Sequence, residues 1–581
     1  MSFFDDASLV MIPSGYKDQK VYSVKPTDGT GDLTFSRASS ATRVASNGLI
    51  EKVRTNLLLQ SNTFNTTWTL DDATLTSGQS GYDGTNNAWR LAKTAAGGRV
   101  QQTLSLSSNS HTFSVYVKAG TKNWVFLRAD GTSNITSYFN LQTGVVGTAS
   151  GCTPSIVSAG NGWYRCSISY VETTTSARIW VADADGDISG TSGNILIQAA
   201  QVETGDIATD YIATTTAAVS VGPVSGLPRL DYLGSTCPRL LLEPQRTNIA
   251  LYSEQFDNAA WAKRGNIGIT ANAIVSPDGT TNADKMAATN ASVIDYGCFQ
   301  IVASGLNTYS VFAKKAEMNY VFIGKDNSFA SDGVFFNLNT GAISSNSSSY
   351  SATITDYGNG WYRCSVYFAT NVSYFFISPS VNGTSFNFSG QSGNGIYIYG
   401  AQAEVGAYAT SYIPTLGASV TRVADAASKT GISSLIGQTE GTIFLEVDYS
   451  LPSGAAGASA RFQLSDGSTG EWMLVSYPDA GGSSPRFYIN NGGADTNVGS
   501  SANLVQGVNK IAAAYQNGDY VLYLNGVQVG SSSASIGVPS TSRIDMQGNA
   551  PTDPAVVQGA FNQALLFKTR LTNSQLAELT A

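Results

Sequence analysis

An all-β protein made of several sandwiches is what this sequence predicts, on three observations. First, 59 glycines accompany an aromatic content of 10%, while charged residues make up 13% of the chain, about half the usual quarter. Second, apolar and polar residues alternate with a period of two in many short runs, as they do in a strand that buries one face. Third, the octapeptide GNGWYRCS occurs twice, at Gly160–Ser167 and Gly358–Ser365, so at least one structural unit is duplicated. At 581 residues the chain exceeds what one hydrophobic core serves, and it should divide into about three or four domains.

The duplicate extends in both directions from the octapeptide. Arg54-Thr55-Asn56 answers to Arg246-Thr247-Asn248, DGTNNAWRLA from Asp83 to DGTTNADKMA from Asp278, and FSVYVKAGTKNWVFL from Phe113 to YSVFAKKAEMNYVFI from Tyr309. YFNLQTG at Tyr138 pairs with FFNLNTG at Phe335, and AAQVETGDIATDYIAT from Ala199 with GAQAEVGAYATSYIPT from Gly400. The separation between partners grows in small steps and never falls, so the copies differ by loop insertions in one frame. Residues 54–215 and 246–415 are therefore two versions of one domain, joined by a linker at 216–245.

Within each repeat the segments read as strands. Phe113, Val115 and Val117 alternate with Ser114, Tyr116 and Lys118; Tyr164, Cys166, Ile168 and Tyr170 share one face of the next strand, as do Tyr362, Cys364, Val366 and Phe368 in the second copy. A Cys in an apolar file is a small buried hydrophobe. The five cysteines have no zinc spacing and no C-x-x-C motif, so they are read as thiols. Gly-Asn-Gly ahead of the strand is a turn, because Gly and Asn reach positive φ cheaply. Trp163 and Arg165, with Trp361 and Arg363, face away from the apolar file. Such a pair can stack on a sugar ring and bond its hydroxyls, or the Trp can roof the sheet beneath a loop; its retention in both copies fits the roof better.

After the second repeat, residues 416–435 read as a linker and 436–581 as a further domain. Ile443, Leu445, Val447 and Tyr449 alternate with Thr442, Phe444, Glu446 and Asp448; NKIAAAYQNGDYVLYLNGVQVG from Asn509 holds strands around two turns, a strong hairpin signal. The C-terminal ALLFKTRLTNSQLAELTA is a strand and then a short helix capped by Thr572 or Asn573. This order resembles the concanavalin-like, laminin-G-type sandwich. Residues 1–53 match neither type. Their "GDLTFSRASSATRVASNGLIE" ahead of "NLLLQSNTFNTTW" looks like the leader of tailed-bacteriophage structural proteins, and "LLLEPQRTNIALYSEQFDNAAW" and "YGAQAEVGAYATSYIPT" look like the same family. The resemblance implies a virion fibre or appendage, on head or tail, with carbohydrate-binding-like jelly rolls for host attachment. It also implies assembly in a bacterial cytoplasm. In this reading residues 1–53 are an extended arm whose Phe3, Phe4, Tyr16 and Tyr22 anchor the chain to virion partners or sister subunits, with a trimer favoured. The alternative is a purely structural decoration or connector protein.

Charge narrows the partners. A net charge of −8 supplies no basic field for nucleic acid. No apolar run approaches a bilayer's width, and Asp5 and Asp6 stand where a secretion signal carries Lys or Arg. Catalysis has few candidates. His111 is the only histidine, with Asn307 as its counterpart, and it reads as a surface strand-edge residue. Glu446-Val447-Asp448-Tyr449-Ser450 has Ser where a concanavalin-like glycosidase carries its third carboxylate, leaving no proton donor for the leaving oxygen. Glu203 and Glu404, repeated in A-Q-x-E, read as solvated or turn-bonded edges. Asp183, Asp185 and Asp187 have the alternate spacing of a calcium loop, but Ile188 stands where such a loop needs Gly, and an acidic hairpin turn is the plainer reading. The expectation is a non-enzymatic protein without cofactor, structural calcium apart, displaying surfaces to host glycans.

Overall fold

A computed structural model describes residues 2–289, 297–302, 307–325, 332–369, 374–385, 392–449, 460–478, 483–546 and 559–581. The chain forms two compact units, Val53–Gly222 and the combination of Met1–Lys52 with Pro223–Ala581. Strands dominate both, and among the described residues no helix is long and apolar enough to cross a membrane.

The unit Val53–Gly222 is the first repeat. Its long strands Arg99–Ala119 and Trp163–Ala182 pair antiparallel, setting Phe113 opposite Ile168 and Val115 opposite Cys166. These side chains are all fully buried in one core with Val117, Leu127, Ile179 and Val202. The turn feeding the second strand has positive φ at Gly160, Asn161 and Gly162.

The second repeat keeps that register. Asn307–Lys315 pairs with Trp361–Phe368, with Tyr309 opposite Val366 and Val311 opposite Cys364, the same four core positions as in the first copy. Gly358, Asn359 and Gly360 again have positive φ. The duplicated octapeptide is thus a left-handed turn delivering a core strand. All five cysteines are free, and burial pushes the thiols of Cys152 and Cys298 up to about 11 and about 12.

The C-terminal sandwich has Glu440–Tyr449 between Gly507–Gln516 and Gly559–Phe567 in one sheet, and Ala460–Ser465 beside Glu471–Tyr477 in the other. Their inner faces share one core, including Leu445, Val447, Phe462, Leu464 and Phe561. The helix Asn573–Thr580 is capped by Thr572, which forms a reciprocal capping box with Gln575.

Residues 1–53, expected to be an extended docking arm, instead contribute strands to this sandwich. Leu9–Met11 pairs with Gly559–Phe567, and Leu33–Ser36 pairs with Ala426–Thr430. Leu9, Met11, Val21, Leu33 and Phe35 enter the sandwich core, while Thr34 and Ser36 between them stay exposed. The physical reason is edge satisfaction: each of these segments covers backbone donors and acceptors of a strand that would otherwise end its sheet. The linkers behave alike. Arg239–Leu242 pairs with Gly559–Phe567, and Ala426–Thr430 also pairs with Arg543–Met546. Of the expected anchoring residues, Phe3 packs edge-on against Phe567 and Tyr16 rests on the main core, whereas Phe4 and Tyr22 are exposed.

Candidate functional site

The residues singled out by the sequence meet different fates. Trp163 and Trp361 are 1% and 2% exposed, so neither ring offers a face to a sugar; both roof their sheets. Arg165 donates to the Ser114 hydroxyl at 3.0 Å and lies over the Tyr116 ring. Arg363 donates to the Thr410 carbonyl at 2.6 Å and to Ser310 Oγ at 3.0 Å.

The three aspartates do not converge. Asp183 is held by Lys93 and Lys122, Asp185 accepts from the Thr148 amide and hydroxyl, and Asp187 accepts from the Ser189 amide. Among the described residues no cluster of metal-ligating side chains is present. His111, expected at the surface, is buried, with Nε2 bonded to the Ser107 carbonyl. Glu203 and Glu404 are turn-bonded: each accepts from the amide and hydroxyl of a threonine six residues on, Thr209 or Thr410. Asp448 pairs with Arg239, and Ser450 lies outside the described residues.

What the sequence reading missed is a set of charges inside the supposed linkers. Arg229 is fully buried between Glu243 and Asp425; Arg37 reaches Asp425 at 3.0 Å, and Arg422 reaches Glu243 at 2.8 Å. Burial works against ionising Arg229, but Asp425 and Glu243 outweigh it and hold the guanidinium charged beyond its ordinary range. For Glu243, burial is overcome in the same way by Arg422 and Arg229, which hold its carboxyl well below its usual value. The network joins the N-terminal segment, the stretch between the repeats and the stretch after them. In such an array, loss of one partner leaves a buried charge uncompensated at about 3–5 kcal/mol. The signal was visible: PRLDYLGSTCPRLLLEP from Pro228 sets Arg229, Asp231, Arg239 and Glu243 among leucines, and charges in an apolar run must find partners.

Next to this network, within the same compact unit, lies a cleft of about 350 Å³. Its walls come from the second repeat (Thr353–Tyr357 in part, Arg363, Tyr408–Tyr412), the hairpin Arg229–Leu242 and its flank (Asp231, Arg239, Glu243), and the C-terminal sandwich (Asp448, Tyr449, Tyr477). Two of its tyrosines are distinctive. Tyr408 and Tyr477 are each 3% exposed, and neither hydroxyl has a hydrogen-bond partner among the described residues. A buried phenol without a partner forfeits about 1–3 kcal/mol. The floor is an ordered charge array, with Arg239 donating to Asp231 at 3.1 and 3.2 Å and to Asp448. The residues Arg363 and Asp448, remote in sequence, both line this cleft; the two tryptophans do not. Aromatic walls with a few convergent polar groups make it a small-molecule type of site.

Residues 450–577 match the concanavalin A-like lectin/glucanases superfamily. Among solved structures, the chain is similar to the CBM40 module of the Ruminococcus gnavus IT-sialidase, at 13% identity over 26% of this chain and 86% of that one, with a TM-score of 0.22. The CBM22-1–CBM22-2 tandem of Paenibacillus barcinonensis Xyn10C matches at 12% identity over 60% and 97%, TM-score 0.20. Mouse laminin alpha1 domains LG4-5 match at 12% over 47% and 88%, TM-score 0.19. No curated protein sequence matches. The chain is a β-sandwich protein with a concanavalin-like C-terminal domain.

Proposed function

We propose that this protein is a non-catalytic glycan-binding component of a tailed-bacteriophage virion, a fibre or appendage assembled in the bacterial cytoplasm and presented to the host envelope. The observation that carries the glycan reading is the cleft, with its two buried, unpartnered phenols beside the Asp231–Arg239–Asp448 array. Phenol hydroxyls both donate and accept, which suits a ligand whose surface is hydroxyl groups. The virion reading rests on the leader and repeat strings described above. With Leu9–Met11 and Leu33–Ser36 paired into the fold, attachment to virion partners falls to the folded surface, where Phe4 and Tyr22 remain exposed. Trimeric assembly would multiply weak single sites by avidity.

The catalytic reading is unsupported by the carboxylates present. Asp448 is engaged by Arg239, and Glu446 accepts from Asn562. The test is a glycan array on the full chain, repeated with Tyr408→Phe/Tyr477→Phe, which keeps both rings and removes both hydroxyls. Binding that weakens by about tenfold in the variant supports the reading. A blank array, or binding indifferent to the double substitution, removes the cleft as its basis. Labelling the protein on intact particles tests the virion assignment separately.

A further inference from the structure

The cleft's charges say more than that a glycan fits, on the premise that it is a glycan site at all. Three arginines and four carboxylates line it: Arg43, Arg239 and Arg363, against Asp231, Glu243, Asp356 and Asp448. Each arginine is already engaged. Arg43 donates to Glu51 at 2.7 Å and to the Tyr16 hydroxyl at 3.0 Å. Arg239 is shared by Asp231 and Asp448, and Arg363 is spent on Thr410 and Ser310, with only its Nε left without a partner. On the acidic side, Asp231 also accepts from the Val44 amide and Glu243 from the Ser411 amide, whereas Asp356 is exposed and accepts from the Gly358 amide. The acidic residue is therefore the one left facing solvent.

We infer that this cleft takes a neutral, hydroxyl-rich sugar end and excludes uronate, sialate and phosphate-bearing glycans. An incoming carboxylate would have to displace Asp448 from Arg239 or remain unpaired near Asp356. Either route costs free energy that a neutral hydroxyl does not incur, and an unpaired charge is an effective means of rejecting the wrong ligand. The volume of about 350 Å³ sits at the small end of the roughly 300–1,000 Å³ typical of small-molecule pockets, which suits the terminus of a glycan better than a long chain segment.

The test titrates the full-length protein with a neutral oligosaccharide panel and with matched oligosaccharides carrying uronic or sialic acid, at low and at high salt. Neutral members should bind, with affinity lost in Tyr408→Phe/Tyr477→Phe and little changed by salt, and acidic members should be weaker by about tenfold or more. Asp448→Asn, at a side chain 20% exposed, should release one edge of Arg239 and raise the affinity for acidic members relative to neutral ones several-fold. Acidic glycans binding the unaltered protein through the two phenols would overturn this inference and leave the glycan reading intact. Neutral binding that ignores the phenols would overturn the placement, and failure of both panels would remove the glycan reading itself.

Discussion

The two repeats close one equivalent spot on their surfaces by different means. In the second repeat, Lys52 from the N-terminal segment lies half-buried between Glu254 and Asp278, bonded also to the Tyr399 hydroxyl, while Ile50 packs with Trp361, Phe312 and Tyr412. In the first repeat, the positions answering to Asp278 and Asn282 are Asp83 and Asn87. Both are exposed, and Gln198 bonds both of them. There Tyr82, where the second copy has Pro277, stacks on Tyr116 at 3.7 Å and shields Trp163 edge-on. One frame, therefore, is finished in one copy by its own tyrosine and in the other by a remote segment. The lesson is that a duplicated core strand carries its core register with it, whereas the surface around it is free to become either a solvent face or an internal joint.

Removing the remote segment should break the comparison most severely. Deleting residues 1–45 withdraws Leu9, Met11, Val21, Leu33, Phe35 and Arg37 from buried positions. At about 1.5–3 kcal/mol per apolar side chain that loss rivals a domain's whole margin of about 5–15 kcal/mol. Calorimetry should show the transition of the larger unit abolished while that of Val53–Gly222 persists. Two intact transitions in the truncated protein would contradict the strand pairing.

Asp425→Asn comes next, since it strands Arg37 and Arg229 without their shared carboxylate; a loss of about 3–5 kcal/mol is expected in urea unfolding of the larger unit alone. The two closures are then weighed directly. Lys52→Met should cost about 3 kcal/mol by leaving Glu254 and Asp278 unpaired, and Tyr82→Ala about 2 kcal/mol through a half-buried stacked ring.

Acid sharpens that pair. Burial alone would raise the Asp278 carboxyl, but Lys52 outweighs it and holds the group well below its ordinary range. Folded Asp278 stays ionised where the unfolded chain takes up a proton, so its contribution is whole above pH about 4 and drains away as pH falls further. In Lys52→Met the buried carboxyl lacks its cation and its pKa rises, so this contribution shrinks and the loss of stability in acid becomes shallower. Stability curves of identical slope in the two proteins would show that Lys52 does not govern Asp278.

The smallest effect should be the most alike in the two copies. Gly160 and Gly358 have φ of +83° and +80°, and a Cβ on either would touch nothing within 4 Å. Ala at each should therefore cost only the left-handed backbone penalty of about 1 kcal/mol, and unequal losses would mean that the turns are not equivalent.

Much of this architecture is written in local pattern. The period-two file Phe113, Val115, Val117, the turn before Trp163, the Thr572 cap and the duplication itself could all be read from neighbours in the chain, because each depends on steric preferences of a few consecutive residues. The cleft could not be read that way. Tyr408 and Tyr477 look in sequence like any strand or loop tyrosine, and only packing reveals that their hydroxyls are buried without partners.

The same division explains the N-terminal segment. Its alternation of Leu33 and Phe35 with Thr34 and Ser36 marks a strand, but a strand's backbone bonds with any open edge, so sequence names no partner. That Ala426–Thr430 receives it, and that Arg37 finds Asp425 across 388 residues of chain, are outcomes of long-range packing. Side-chain period is a property of the local backbone; the choice of edge, and the burial of charge that makes the choice unique, arises once distant segments compete for the same surface.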